Sequence, residues 1–182
     1  MFPLQTLQNK LVHLQPLTEN DFETLFAVAA DPLIWEQHPN PDRYKRDVFA
    51  TYFKGALESG GALLLTEASS GKVIGCSRFY DYEPEKQEVK IGYTFFARSC
   101  WGKGYNSSVK KLMLDYACRF AETVIFHVGA KNMRSRKAME KLGAEYLGEE
   151  EVAYYGEAPR QNVVFRITRA DWNTTHTKNE TH

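Results

Sequence analysis

A chain of 182 residues, 43% hydrophobic and 25% charged, can bury a full core by itself, which excludes a disordered segment or a small scaffold needing disulfide or metal staples. Lysine plus arginine equals aspartate plus glutamate at 23 each, so no global field draws the protein to nucleic acid or to an anionic membrane. No apolar run approaches the roughly 20 residues of a membrane span, and the start, MFPLQTLQNKLVHLQPL, lacks the basic and then unbroken apolar stretches of a secretory signal, so a cytoplasmic location is expected.

Residues 11–16 (LVHLQP) read as a short strand. Thr18 then caps a helix through DFETLFAVAA, with Asp21 at the third helical position as in a capping box, and Asp31-Pro32 ends it. The segment WEQHPNPDRYKRD, with Pro39 and Pro41, is expected to be irregular, and a second helix to run from Asp47 to Ser59 before Gly60-Gly61. ALLLTEA and VIGCSRFYD form a hairpin around Ser69-Ser70-Gly71-Lys72, with EVKIGYTFF as a third adjacent strand. Val109, Leu112, Met113, Tyr116, Ala117 and Phe120 recur at helical spacing and predict a helix over 106–120. It leads into the strand TVIFHVGA, and a strand, helix and strand in this order imply a right-handed crossover between two parallel strands. A short helix over 133–142 ends at Gly143, the last strands are AEYLGEEEVAYY and RQNVVFRITR, and the polar NTTHTKNETH is expected to fray.

Cys76, Cys100 and Cys118 are odd in number and widely spaced, so they read as reduced thiols. The five histidines include no His-Glu-x-x-His, and no metal is expected. The sequons at Asn106, Asn173 and Asn179 matter only in a secreted protein and are taken as chance.

The chemistry concentrates in CWGKGYN, where Gly102 and Gly104 flank Lys103 just before the long helix. Two glycines let the backbone turn tightly and aim several N–H groups at one spot, and the helix adds the positive end of its dipole. That builds an anion cradle suited to a diphosphate. It matches neither a Walker loop nor a Rossmann fingerprint, so a nucleotide-binding domain lacks support.

In KIGYTFFARSCWGKGYNSSVKKLML and NMRSRKAMEKLGA the chain resembles the GNAT superfamily of acyl-coenzyme A dependent N-acyltransferases, in particular the branch around the ribosomal-protein alanine acetyltransferases. The resemblance spans residues 10–172. It implies one acyltransferase domain over 1–172 with a polar tail over 173–182. The fold implied is α/β (α+β): a mixed, mostly antiparallel sheet with helices on both faces, splayed between EVKIGYTFF and TVIFHVG so that the pantetheine arm can enter. It implies transfer of acetyl from acetyl-coenzyme A to a primary amine, either a small molecule or a protein N-terminus, by direct attack in a ternary complex, without metal. A homodimer is compatible with it. The competing reading is a coenzyme A binding domain without turnover.

By the same resemblance, the amides of Trp101, Gly102, Lys103, Gly104 and Tyr105 hold the coenzyme's pyrophosphate, although the usual Gln or Arg three residues before the first glycine is Ser99 here. A strand amide near Phe95 or Phe96 would bind the thioester carbonyl. Asn132 would contact the pantetheine arm or the acceptor, or else simply cap a helix. An amine acceptor must lose a proton before attack. Glu88, 14 residues before Gly102, sits where several members place a base carboxylate, whereas the nearer branch has an acidic residue at the position of Lys90. The usual proton-donating Tyr is Met139 here, leaving Ser135, with Tyr154 and Tyr155 as further candidates. Cys100 is read as a loop filler and not a nucleophile. His127 is read as a packed strand residue, and Trp35 and His38 as shaping the acceptor pocket.

Overall fold

In the computed structural model, which describes residues 1–177, all the strands join one eight-stranded sheet in the order β1-β2-β3-β4-β5-β6-β8-β7. The strands are β1 (Leu7–Gln8), β2 (Val12–Pro16), β3 (Ala62–Glu67), β4 (Val73–Glu83), β5 (Glu88–Phe96), β6 (Thr123–Gly129), β7 (Glu145–Val152) and β8 (Arg160–Thr168). Every pairing is antiparallel except β5 with β6. That exception is the crossover the sequence implies, because α3 (Tyr105–Ala117) lies between the two strands in the chain.

Alternation along the strands divides the core. Leu63, Leu65, Ile91 and Phe96 face a cluster built with Val109, Met113 and Ala117 of α3. Leu64, Cys76 and Phe95 face Leu25 and Ala29 of α1 (Phe22–Ala29) and Phe49, Tyr52 and Phe53 of α2 (Arg46–Ser59). Helices therefore cover both faces of the sheet, as expected.

Local signals act where the sequence carries them. The Asp21 carboxylate accepts from the Thr18 amide at 2.7 Å and its hydroxyl at 2.8 Å, closing the capping box ahead of α1. Gly60 ends α2 at φ 63°, a left-handed conformation that glycine adopts without steric cost. The tail differs from expectation. Residues 169–177 form α5 (Arg169–Thr177) after Thr168, whose hydroxyl accepts from the Asp171 amide at 3.1 Å. Trp172, 4% exposed, holds that helix down with Nε1 donating to Asp115 Oδ1 at 2.8 Å. The remaining tail residues, 178–182, lie outside the described residues.

Two irregularities shape the site. β5 and β6 pair only from Glu88–Thr123 to Lys90–Ile125. β6 pairs with β8 along its whole length on its other edge, and beyond Lys90–Ile125 the facing edges of β5 and β6 are left unpaired. On the other edge of β5 the register slips between Cys76 and Arg78 of β4, and Tyr93 takes φ 53°, unusual for a bulky residue. The conformation is held by Tyr52, whose hydroxyl donates to the Tyr93 carbonyl at 2.6 Å, and by Arg78, whose guanidinium stacks 3.8 Å from the Tyr93 ring.

Candidate active site

Where β5 and β6 part, a cavity of about 560 Å³ opens. Its wall includes Trp101, Gly102 and Gly104 of the loop ahead of α3, Thr94 of β5, Lys110 of α3 and Ser135, together with His38, Arg43, His127 and Tyr154.

The cradle has the geometry its glycines allow. Gly102 (φ 71°) and Gly104 (φ 82°) are left-handed, and a Cβ built at either would meet no protein atom within 4 Å, so the backbone there faces open space. Gly104 caps α3, whose first-turn amides at Tyr105, Asn106 and Ser107 have no acceptor within the helix. Lys103 is exposed, and the Tyr105 side chain turns away to bond Glu67. Neither side chain is on the cavity wall, and with its hydroxyl engaged Tyr105 has its backbone amide left to offer. Ser99 is exposed and off the cavity wall.

On β5, the Phe95 carbonyl points at Gly75 of β4. Antiparallel alternation then turns the Phe95 amide toward β4 and the Phe96 amide toward the open edge. The Phe96 carbonyl accepts from Trp101 Nε1 at 3.2 Å, tying the strand end to the cradle.

Lys110 is a component the sequence reading missed. It is 3% exposed and lines the cavity, and its ammonium donates to Thr94 Oγ1 at 2.7 Å. With no ion pair among the described residues, burial pulls its pKa down to about 7. Arg134, Lys137 and Lys141 of α4 (Met133–Lys141) also line the cavity, at spacings of three and four that put them on one helix face. The Arg134 guanidinium stacks 3.5 Å from the Trp101 ring, linking α4 to the cradle. Among the described residues, no aspartate or glutamate lines this cavity.

Asn132 both caps and lines. Its Oδ1 accepts from the Ser135 amide at 3.2 Å, and the side chain is buried at the cavity wall. Among the described residues the Ser135 hydroxyl, on the cavity wall, makes no hydrogen bond, and Met139 adds apolar wall. Cys100 is also on the wall, its thiol pKa raised by desolvation, which keeps it a protonated and poor nucleophile.

Glu88 lies at the closed end of the β5–β6 pair, opposite Thr123, and is not on the cavity wall. His127 is not simply packed. It lines the main cavity and a smaller neighbouring one of about 290 Å³, with Tyr93 and Tyr154 also common to both. Its Nε2 lies 2.5 Å from Glu150 Oε1 and its Nδ1 3.3 Å from the Tyr80 hydroxyl. The carboxylate selects the Nε2–H tautomer, so Nδ1 accepts from Tyr80. Desolvation first, then the Lys90 charge, lower the His127 pKa against the opposing pull of Glu150, which favours the neutral, proton-accepting ring. His38, half-buried on the wall, is pushed down to about 3 by desolvation and the charges of Arg43 and Arg134. Trp35 is fully buried, anchored by Nε1 to the Ala29 carbonyl at 2.7 Å, and shapes the pocket from beneath. Tyr154 donates to Asn162 Oδ1 at 2.6 Å, whereas Tyr155 bonds Glu58 at the surface, off the cavity.

Comparison with known proteins places this geometry. Similar solved structures include a GCN5-related N-acetyltransferase from Brucella melitensis, 18% identical over 93% of this chain and 80% of that one at a TM-score of 0.78. A ribosomal-protein-S5-alanine acetyltransferase from Vibrio fischeri matches at 14% identity over 92% and 98%, TM-score 0.68. A spermidine N-acetyltransferase from Vibrio cholerae, solved with CoA and spermine, matches at 16% over 91% and 99%, TM-score 0.67. At these identities the likeness establishes the fold. The family model of the acetyltransferase (GNAT) domain matches residues 12–145, and the chain, with its parted β5–β6 pair and glycine cradle, belongs to that family.

Proposed function

We propose that the protein transfers an acetyl group from acetyl-coenzyme A to a primary amine by direct attack within a ternary complex. The observation that carries this reading is the cavity along the unpaired edge of β5, whose wall includes both the open glycine backbone ahead of α3 and the His127 ring. The residues fit the cosubstrate: open glycine backbone and first-turn amides for a diphosphate, and Arg134, Lys137 and Lys141, with no acidic residue among the described residues on the wall, for an anion. Acetyl-coenzyme A supplies an activated acyl carbon and a thiol leaving group.

This chain's residues then divide the work. The Phe96 amide faces the open edge, where it can donate to a carbonyl. Ser135, its hydroxyl unengaged, can donate to the departing sulfur. The acceptor amine, placed at the junction where the two cavities share Tyr93, His127 and Tyr154, passes its proton to the oxygen of Tyr80, which lines the smaller cavity, while Tyr80 passes its own to His127 Nδ1, and Glu150 holds the imidazolium that results. This assigns the base to His127 in preference to Glu88, which lies off the cavity. Direct attack is tested by varying both substrates: intersecting initial-rate lines with no acetylated enzyme support it, and parallel lines with an acetyl-enzyme contradict it.

Lys110 lies six residues beyond Gly104, about 9 Å along the axis of α3 at 1.5 Å per residue, so it would meet the coenzyme's arm and not its diphosphate. Its folded pKa is below the unfolded value, so the unfolded chain binds more protons between about 7 and 10.5, and stability rises with pH across that window. Lys110→Met is therefore expected to be more stable than the parent near pH 7 by about 2–4 kcal/mol, at ~1.4 kcal/mol per pKa unit with allowance for relaxation, and to lose this pH slope. It should at the same time bind coenzyme A about 10-fold more weakly. Thermal melts against pH and calorimetry check both parts, and a less stable variant with unchanged affinity would assign Lys110 a purely structural role.

A further inference from the structure

The acceptor end holds a charge imbalance that the transfer chemistry does not use. Arg43, from the segment between α1 and α2, is 3% exposed and lies on the cavity wall. Its Nε donates to Glu157 Oε1 at 2.9 Å, and Nη2 is 2.8 Å from the same oxygen but, like Glu157 Oε2, makes no hydrogen bond. The rings of Trp35, Tyr52, Tyr93 and Tyr154 surround the guanidinium at 5.3 to 6.0 Å. Across Tyr93 lies Arg78, 2% exposed, which donates to the Tyr52 carbonyl at 3.3 Å and has its Nε buried without a partner.

Among the described residues, Glu157 is the carboxylate paired within this cluster, so two buried guanidinium groups face one acid. An uncompensated buried charge is costly unless something pairs with it. The main cavity offers no acidic residue to a polycationic acceptor, whereas the smaller cavity beside His127 carries Asp81, Glu150 and Glu151. Tyr93, His127 and Tyr154 line both, so the acidic and the guanidinium sides meet at one junction.

We propose that the acceptor is an amine that also bears a carboxylate, with the amine on the His127 side and the carboxylate received by Arg43. This rests on the transfer reading above. A guanidinium presents N–H groups in a planar fork that matches a carboxylate, and the aromatic ring of residues fixes the fork in place.

The test uses matched probes with and without the carboxylate, phenylalanine against phenethylamine and β-alanine against propylamine, together with spermidine. Both kcat/KM and calorimetric binding to the coenzyme A complex are measured. The carboxylate-bearing member of each pair is expected to be favoured at least about 10-fold, the range of a charge-assisted pair. Arg43→Met should erase the preference, and Arg43→Lys, which keeps the charge and loses the fork, should retain part of it. Equal or better use of the carboxylate-free amines or spermidine by the unaltered protein would overturn the proposal, whatever the variants do. Were no amide formed with any amine, the transfer reading would fail and the calorimetry would still decide: a carboxylate preference in binding upholds the Arg43 site, and its absence overturns it.

Discussion

Gly104→Val is expected to weaken acetyl-coenzyme A binding at least about 100-fold while leaving the sheet and its helices folded. Gly104 has φ 82°, and no protein atom lies within 4 Å of where a side chain would start. The added side chain therefore meets no wall of the protein, and the fold has room for it. What it fills is the space in front of the cradle amides, and the left-handed backbone becomes strained at about 1–2 kcal/mol for an L residue. The amides of Gly104, Tyr105 and Asn106 would turn away from their common focus. Calorimetric titration with circular dichroism as the fold control checks this, and an unchanged affinity in a folded variant would remove the cradle from the account. Gly102→Val, at φ 71° in equally open space, is expected to behave alike.

His127→Gln is expected to lower kcat by about 100-fold or more with coenzyme affinity nearly unchanged, in the range for loss of a general base. Glu88→Gln should stay within about 3-fold of the parent, as is usual for a change away from buried or reacting groups. The contrast follows from position: His127 lines both cavities and is bonded to Tyr80 and Glu150, whereas Glu88 faces Thr123 where the strands are still paired. The pH dependence carries a sign. His127 is surrounded by Tyr80, Glu150, Lys90 and Asp81, and its pKa is depressed chiefly by desolvation. Activity should therefore persist as pH falls through the usual histidine range and drop only below it, as the ring takes up a proton. That acid limb should be missing in His127→Gln, a result that a merely structural histidine would not give. A large loss in Glu88→Gln beside a nearly normal His127→Gln would return the base to β5.

The sheet was legible because its strands and α3 carry regular periods: EVKIGYTFF is β5 to the residue, and Val109, Met113 and Ala117 all reach the core. The left-handed turn ahead of α3 was legible because Gly102 and Gly104 stand just before the helical period begins. Other features depend on distance in sequence. His127 reads as one polar residue in an apolar strand, and its partner Glu150 comes from β7, which reaches β6 only across the intervening β8. Lys110 stands next to Lys111 in a run that looks like one polar face, yet only Lys110 turns inward. The spacing of Arg134, Lys137 and Lys141 was available in the sequence, but which side of α4 meets the cavity was not. The helix at the end of the chain hangs on Trp172, a lone aromatic in a polar stretch, with a capping pair formed by Thr168 and Asp171.

The central claim is that the cavity performs transfer and does not merely hold coenzyme A. The most direct measurement is to incubate the protein with acetyl-coenzyme A and the amine panel while following free thiol and acetylated amine together. Release of thiol in step with amide, above the rate without protein and lost in Gly104→Val, is the predicted result. Tight binding of acetyl-coenzyme A with no thiol released above that background for any amine would contradict it, and would make the chain a coenzyme A binding domain.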